Sequence, residues 1–281
     1  FTLSYSKTNY GAGYLKSEDG KSFVVLLAEN ENLKLRGNKL SMPETVKIIE
    51  GRQNQLFDQY AKEHPRREQT LSAWDYLARI YSKDSLFMDQ TTSQKAIEEE
   101  KQRIKAEDIA FLNNLPDDSF VKWYLPVRKL ISSVSIIAQY RTEEIPATIK
   151  AFREMDHTDN RLYKSGLLKE SLKAHFWLIE NSGRSLDSVY IEMNKSIDVL
   201  IGNLLADEQK LNDITEHLFK LMEKRSLFKS SEYLALKLLN EQGCTINNDF
   251  AAQLESYRAM KKGNTAPDIT FANDILAPGY Q

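Results

Sequence analysis

The hydrophobic period of this chain changes once, near residue 52, and that change constrains the fold more than any other feature. Before it, apolar residues alternate in short runs. From about 53 to 262 they recur every three to four positions, so a small β unit must give way to a long helical part. Tyr14 and Leu15 precede the turn signal Ser17-Glu18-Asp19-Gly20, and then comes the run Phe23-Val24-Val25-Leu26-Leu27. Asp-Gly between β-rich runs predicts a hairpin, because glycine accepts the positive φ of a tight turn. Glu29-Asn30-Glu31-Asn32 makes a second turn, and Leu33 and Leu35 alternate with Lys34 and Arg36 before Gly37. Val46, Ile48 and Ile49 supply one more strand, ended at Gly51. Residues 1–52 therefore read as an antiparallel β meander with one face in need of cover. The fold class expected is α+β, mainly α: this small β domain, then a large helical bundle or irregular helical array over 53–262.

Within the helical part, Leu56 and Tyr60, then Leu71, Trp74, Leu77, Ile80 and Tyr81, predict two helices parted by His64-Pro65. Pro116 stops a third, and Asp117-Asp118-Ser119 offers caps for a fourth. The fourth carries the richest apolar stripe, from Phe120 through Trp123, Tyr124 and Val134 to Ala138, with Pro126 predicting a kink or restart. Pro146 precedes Ile149 and Phe152. Ser185 caps a stripe running from Leu186 to Leu204, and Asp207 caps one from Leu211 to Leu221. Ser230 or Ser231 starts the next, with Gly243 as its stop, and Phe250, Leu254 and Tyr257 mark a last helix closed by Gly263.

Residues 93–113 differ from the rest. Ile97, Ile104 and Phe111 fall seven apart, flanked by Glu98-Glu99-Glu100-Lys101-Gln102-Arg103. Such a narrow stripe predicts a solvated helix supported by pairs such as Glu99 to Arg103; a strut or coiled-coil surface is the alternative. No recurrence of the tetratricopeptide kind is present.

A formal net charge of −2 gives no field for nucleic acid or an acidic membrane, so no nucleic-acid partner is expected. No apolar run approaches the roughly 18 residues that span a bilayer, so no transmembrane segment is expected either. The chain opens on Phe1, and Phe1, Leu3 and Tyr5 already alternate with polar residues; a trimmed front is expected. Cys244 is the one cysteine, so no internal disulfide and no Cys-x-x-Cys exist.

Motifs of chemistry are sparse, and no catalytic, cofactor-binding or metal-binding residue is assigned. His64, His157, His175 and His217 include no pair four apart, which leaves zinc without a local scaffold. Asp156-His157-Thr158-Asp159 places two carboxylates and an imidazole in one loop, where a solvated turn is the expected role and a metal site the alternative. Cys244 follows a helix C-terminus, whose dipole does not lower a thiol pKa; an unreactive thiol is expected. Trp74, Trp123, Trp177, Phe176 and Tyr190 fall on helical stripes and are expected in the core, with His175-Phe176-Trp177 the cluster to inspect for a pocket.

Two stretches carry a family resemblance. Tyr257-Arg258-Ala259-Met260-Lys261-Lys262-Gly263-Asn264-Thr265-Ala266-Pro267-Asp268-Ile269 resembles the junction before a thioredoxin-like domain of the TlpA or alkyl hydroperoxide reductase/thiol-specific antioxidant kind. Near the front, the strands leading into Ile48-Ile49-Glu50-Gly51-Arg52-Gln53-Asn54-Gln55-Leu56 resemble the N-terminal region of envelope thioredoxin-like lipoproteins of Gram-negative bacteria. The resemblance implies that 263–281 is a linker and the first strand of a redox domain continuing past Gln281, and that this chain is its non-catalytic accessory region. It implies a periplasmic or outer-membrane-anchored protein whose partners are a protein client, its own thioredoxin-like domain or a second copy. The family's WCxxC positions have no counterpart here. A helical scaffold without redox chemistry, and the accessory region of a peroxiredoxin-like peroxidase, are the alternatives.

Overall fold

The computed structural model describes residues 11–16, 20, 22–28, 31–39 and 42–240, and, near the end, residues 252, 255 and 259, which are helical. The first strand expected over Phe1–Tyr5, together with Cys244, Gly243, Phe250, Leu254, Tyr257 and the whole of 263–281, lies outside the described residues.

The chain is α+β, mainly α. Among the described residues four strands precede the helices: β1 (Gly11–Lys16), β2 (Ser22–Leu27), β3 (Lys34–Arg36) and β4 (Lys47–Glu50). β1 and β2 pair antiparallel, Lys16 opposite Ser22, as the Asp-Gly signal predicts. β3 and β4 form a second antiparallel ladder, so the described strands make two hairpins rather than one continuous sheet. Both hairpins contribute to one apolar cluster, in which Phe23, Val25 and Val46 are buried and Leu15, Leu27, Leu33 and Leu35 pack against them.

Gly51 joins β4 to the first helix with φ of 114°, a left-handed conformation that most side chains resist. That helix, α1 (Arg52–Lys83), runs unbroken through Pro65. The two helices expected on either side of His64-Pro65 are therefore one. Pro65 faces solvent, as does Ala61, whose carbonyl loses its helical donor and can be hydrated instead. His64 and Tyr60, on the opposite side, are buried and hold the helix in place.

There follow α2 (Thr91–Asn113), α3 (Phe120–Tyr140), α4 (Ile145–Arg153), α5 (Asn160–Lys164), α6 (Leu167–Glu180), α7 (Leu186–Leu204), α8 (Glu208–Lys224) and α9 (Phe228–Asn240). α3 continues through Pro126 without a restart. The predicted caps at Ser119 and Asp207 are in place: Ser119 accepts from the Lys122 amide at 3.3 Å, and Asp207 from the Lys210 amide at 3.1 Å. α9 begins at Phe228, ahead of Ser230 and Ser231. These two are buried inside the helix, where their hydroxyls donate to Met193 Sδ and to Glu223.

The hydrophobic pattern changes at 52/53, whereas packing divides the chain into compact units of 1–189 and 190–281, within α7. In the first unit α1 and α2 run antiparallel, shown by the pairs Tyr60–Phe111, His64–Asp108 and Asp75–Lys101. α3 packs on α1 and on α6, with Val121, Leu125, Phe176 and Leu178 almost wholly buried. In the second unit Met193, Ile197, Leu211, Leu218, Phe219 and Leu234 are buried, and Tyr233 donates to both oxygens of Asp198 at 2.8 and 2.9 Å.

Asn54 ties the β part to α1. Its side chain accepts from the Leu26 amide at 2.7 Å and donates to the Leu26 carbonyl at 2.8 Å, imitating one rung of a β-ladder. Among the described residues no helix is long and apolar enough to cross a membrane.

Candidate functional site

The narrow stripe of α2 is not wholly apolar. Ile97, Ile104 and Phe111 share their face with Asp108, a carboxylate 3 % exposed. A buried carboxylate must find donors, because burying a bare charge costs several kcal/mol (roughly, after relaxation of the site). Asp108 finds them on two other helices. His64 Nδ1 lies 3.0 Å from one carboxylate oxygen, while Tyr60 Oη and Lys129 Nζ donate to the other at 3.3 and 2.5 Å. Arg67 of α1 stands 3.8 Å away.

An ionised carboxylate only accepts, so His64 Nδ1 carries the proton toward Asp108. Tyr60 stacks on His64 with centroids 4.8 Å apart and leans on Phe111 at 5.3 Å, which fixes both rings. Burial pushes the Asp108 pKa up, but the hydrogen bonds from His64 and Lys129, and their charges, outweigh it and hold the carboxyl down at about 2. Burial, with the Asp108 charge added, raises the Tyr60 phenol well above its ordinary value, so it stays a donor.

Further pairs extend this cluster along α1. Arg141, just past α3, donates to Glu68 at 2.6 Å with both side chains buried. Lys101 of α2 lies 2.8 Å from Asp75 of α1. The helical layer α1–α3 is thus fastened by charge at three levels. On the outer face of α2 the supporting pairs are Arg103 with Glu100 and Glu107, and Lys95 with Glu99, in place of the expected Glu99–Arg103.

A second cluster joins residues flagged separately in the sequence. His157, from the 156–159 loop, and His175, from α6, are both buried, and the charge of His157 contributes to lowering His175. Burial, then Arg153 and His157, drive His175 down to about 3. Burial lowers His157 as well, against the pull of Asp156 and a backbone hydrogen bond at Met155. Phe152 and Phe176 each lie 5.2 Å from the His175 ring. Both imidazoles are therefore neutral at pH 7. The two aspartates of the loop serve the backbone: Asp156 accepts from the Thr158 amide at 2.9 Å, and Asp159 caps α5 by accepting from the Arg161 amide at 2.8 Å. Among the described residues no group of three or more His, Cys, Asp or Glu is placed to hold a metal ion.

The cluster His175-Phe176-Trp177 divides. His175 and Phe176 are buried, while Trp177 lines an open groove of about 490 Å³ between α3 and α6, together with Ile131, Val134, Ala174 and Lys173. Trp123 is half-buried under the Arg161 guanidinium, 4.9 Å from its centroid, and Trp74 is half-buried. Tyr190 carries the Lys229 ammonium 5.1 Å above its ring, and His217 is half-buried on α8.

Asp108, Lys129 and Glu68 belong to no local sequence motif. The signal for Asp108 is its place four residues after Ile104, on an apolar stripe where a carboxylate has no business unless it is paired. No family model, no curated protein and no solved structure matches this chain.

Proposed function

We propose that this chain is the non-catalytic N-terminal accessory region of an envelope thiol-disulfide oxidoreductase. It would position a thioredoxin-like domain or hold that domain's protein client, in the periplasm or at the outer membrane. The observation that carries this reading is the segment Gly263-Asn264-Thr265-Ala266-Pro267-Asp268-Ile269, with its resemblance to the junction before such a domain. The first compact unit supports it in kind. Its buried carboxylates Asp108 and Glu68, and the partly buried Asp75, are engaged in fastening helices to one another, which is what a rigid spacer needs. In the full protein, a low-pKa thiolate of the downstream domain would attack a substrate disulfide and a resolving cysteine would release the product as thiol.

The test compares the protein continued through its redox domain with the same protein lacking residues 1–262. Both are assayed on a small aromatic disulfide and on a protein disulfide. The proposal expects turnover of the small disulfide to survive the deletion and turnover of the protein disulfide to fall. Absence of any thiol-disulfide exchange from the longer protein would overturn it.

A second reading, a helical interaction module without redox chemistry, is favoured by one observation. The turn between α1 and α2 presents Leu86, Phe87 and Met88 to solvent.

A further inference from the structure

We draw no further inference here: the strongest candidate, the exposed apolar tip Leu86–Met88 at the turn between α1 and α2, carries nothing because nothing in the structure shows what covers it.

Discussion

His64 of α1 and Asp108 of α2, 44 residues apart in sequence, meet with Nδ1 3.0 Å from a carboxylate oxygen, and Lys129 of α3 closes the same carboxylate from the other side. One acidic side chain thus joins three helices. Asp108→Asn keeps the shape and removes the charge, leaving the Lys129 ammonium without its counter-ion. The expected loss is about 2–3 kcal/mol, below the full figure for a buried pair because Lys129 is partly exposed. All three tryptophans, Trp74, Trp123 and Trp177, lie in the 1–189 unit, so their fluorescence in urea reads this loss directly. Lys129→Met added to Asp108→Asn is expected to cost less than its separate effect, because the two share one interaction. Full additivity would remove Asp108 from its place as the hub.

The buried imidazoles set the acid response of the same unit. His175 is held at about 3 against an ordinary value of 6.5, and His157 is lowered too. Between those limits the unfolded chain binds protons that the folded chain refuses, so stability is full above about pH 6.5 and declines as pH falls toward 3. The slope is at most about 1.4 kcal/mol per pH unit for each histidine. Asp108 acts lower, since its contribution is present above its ordinary 3.8 and is lost as pH falls through about 2. Urea midpoints followed by tryptophan fluorescence from pH 7 to pH 4 check this. His175→Gln is expected to flatten the slope, and an unchanged slope would contradict the assignment.

Asn54 imitates a strand, and its removal should show it. Asn54→Leu deletes both hydrogen bonds to Leu26 and leaves a buried amide and carbonyl without those partners. A loss of about 2–4 kcal/mol is expected for two buried groups left unsatisfied. Amide hydrogen exchange at Leu26 should accelerate with it. Unchanged exchange would mean that β2 is held by the hairpin alone.

Two glycines are expected to respond with opposite signs. Gly11 has φ of +146°, and a Cβ there would stand 2.6 Å from the Lys164 carbonyl oxygen, so Gly11→Ala should destabilise by at least about 1–3 kcal/mol. Gly202 lies in α7 with nothing within 4 Å of an added Cβ, so Gly202→Ala should stabilise its helix by about 0.5–1 kcal/mol. Thermal melts by circular dichroism read both.

Local chemistry explains what could be read in the sequence. The β-to-α change at Gly51, the Asp-Gly hairpin, and the caps at Ser119 and Asp207 each depend on neighbours within a few residues. Pro65 predicts a break that does not occur, because its effect depends on which side of the helix it occupies, and only packing puts Tyr60 and His64 inward and Pro65 outward. Ser230 and Ser231 have cap chemistry but are buried and bonded to Met193 and Glu223. The Asp108 cluster escaped because its members, Tyr60, His64, Asp108 and Lys129, come from three helices. A proximity of that kind exists only after folding.

Whether this chain is the accessory region of a thioredoxin-like domain can be read from the codons that follow Gln281 in the source gene; the proposal is explicit about them. It predicts an apolar β run and then a Cys-x-x-Cys motif. A stop codon, or sequence without a cysteine motif, would contradict it and leave a helical interaction module.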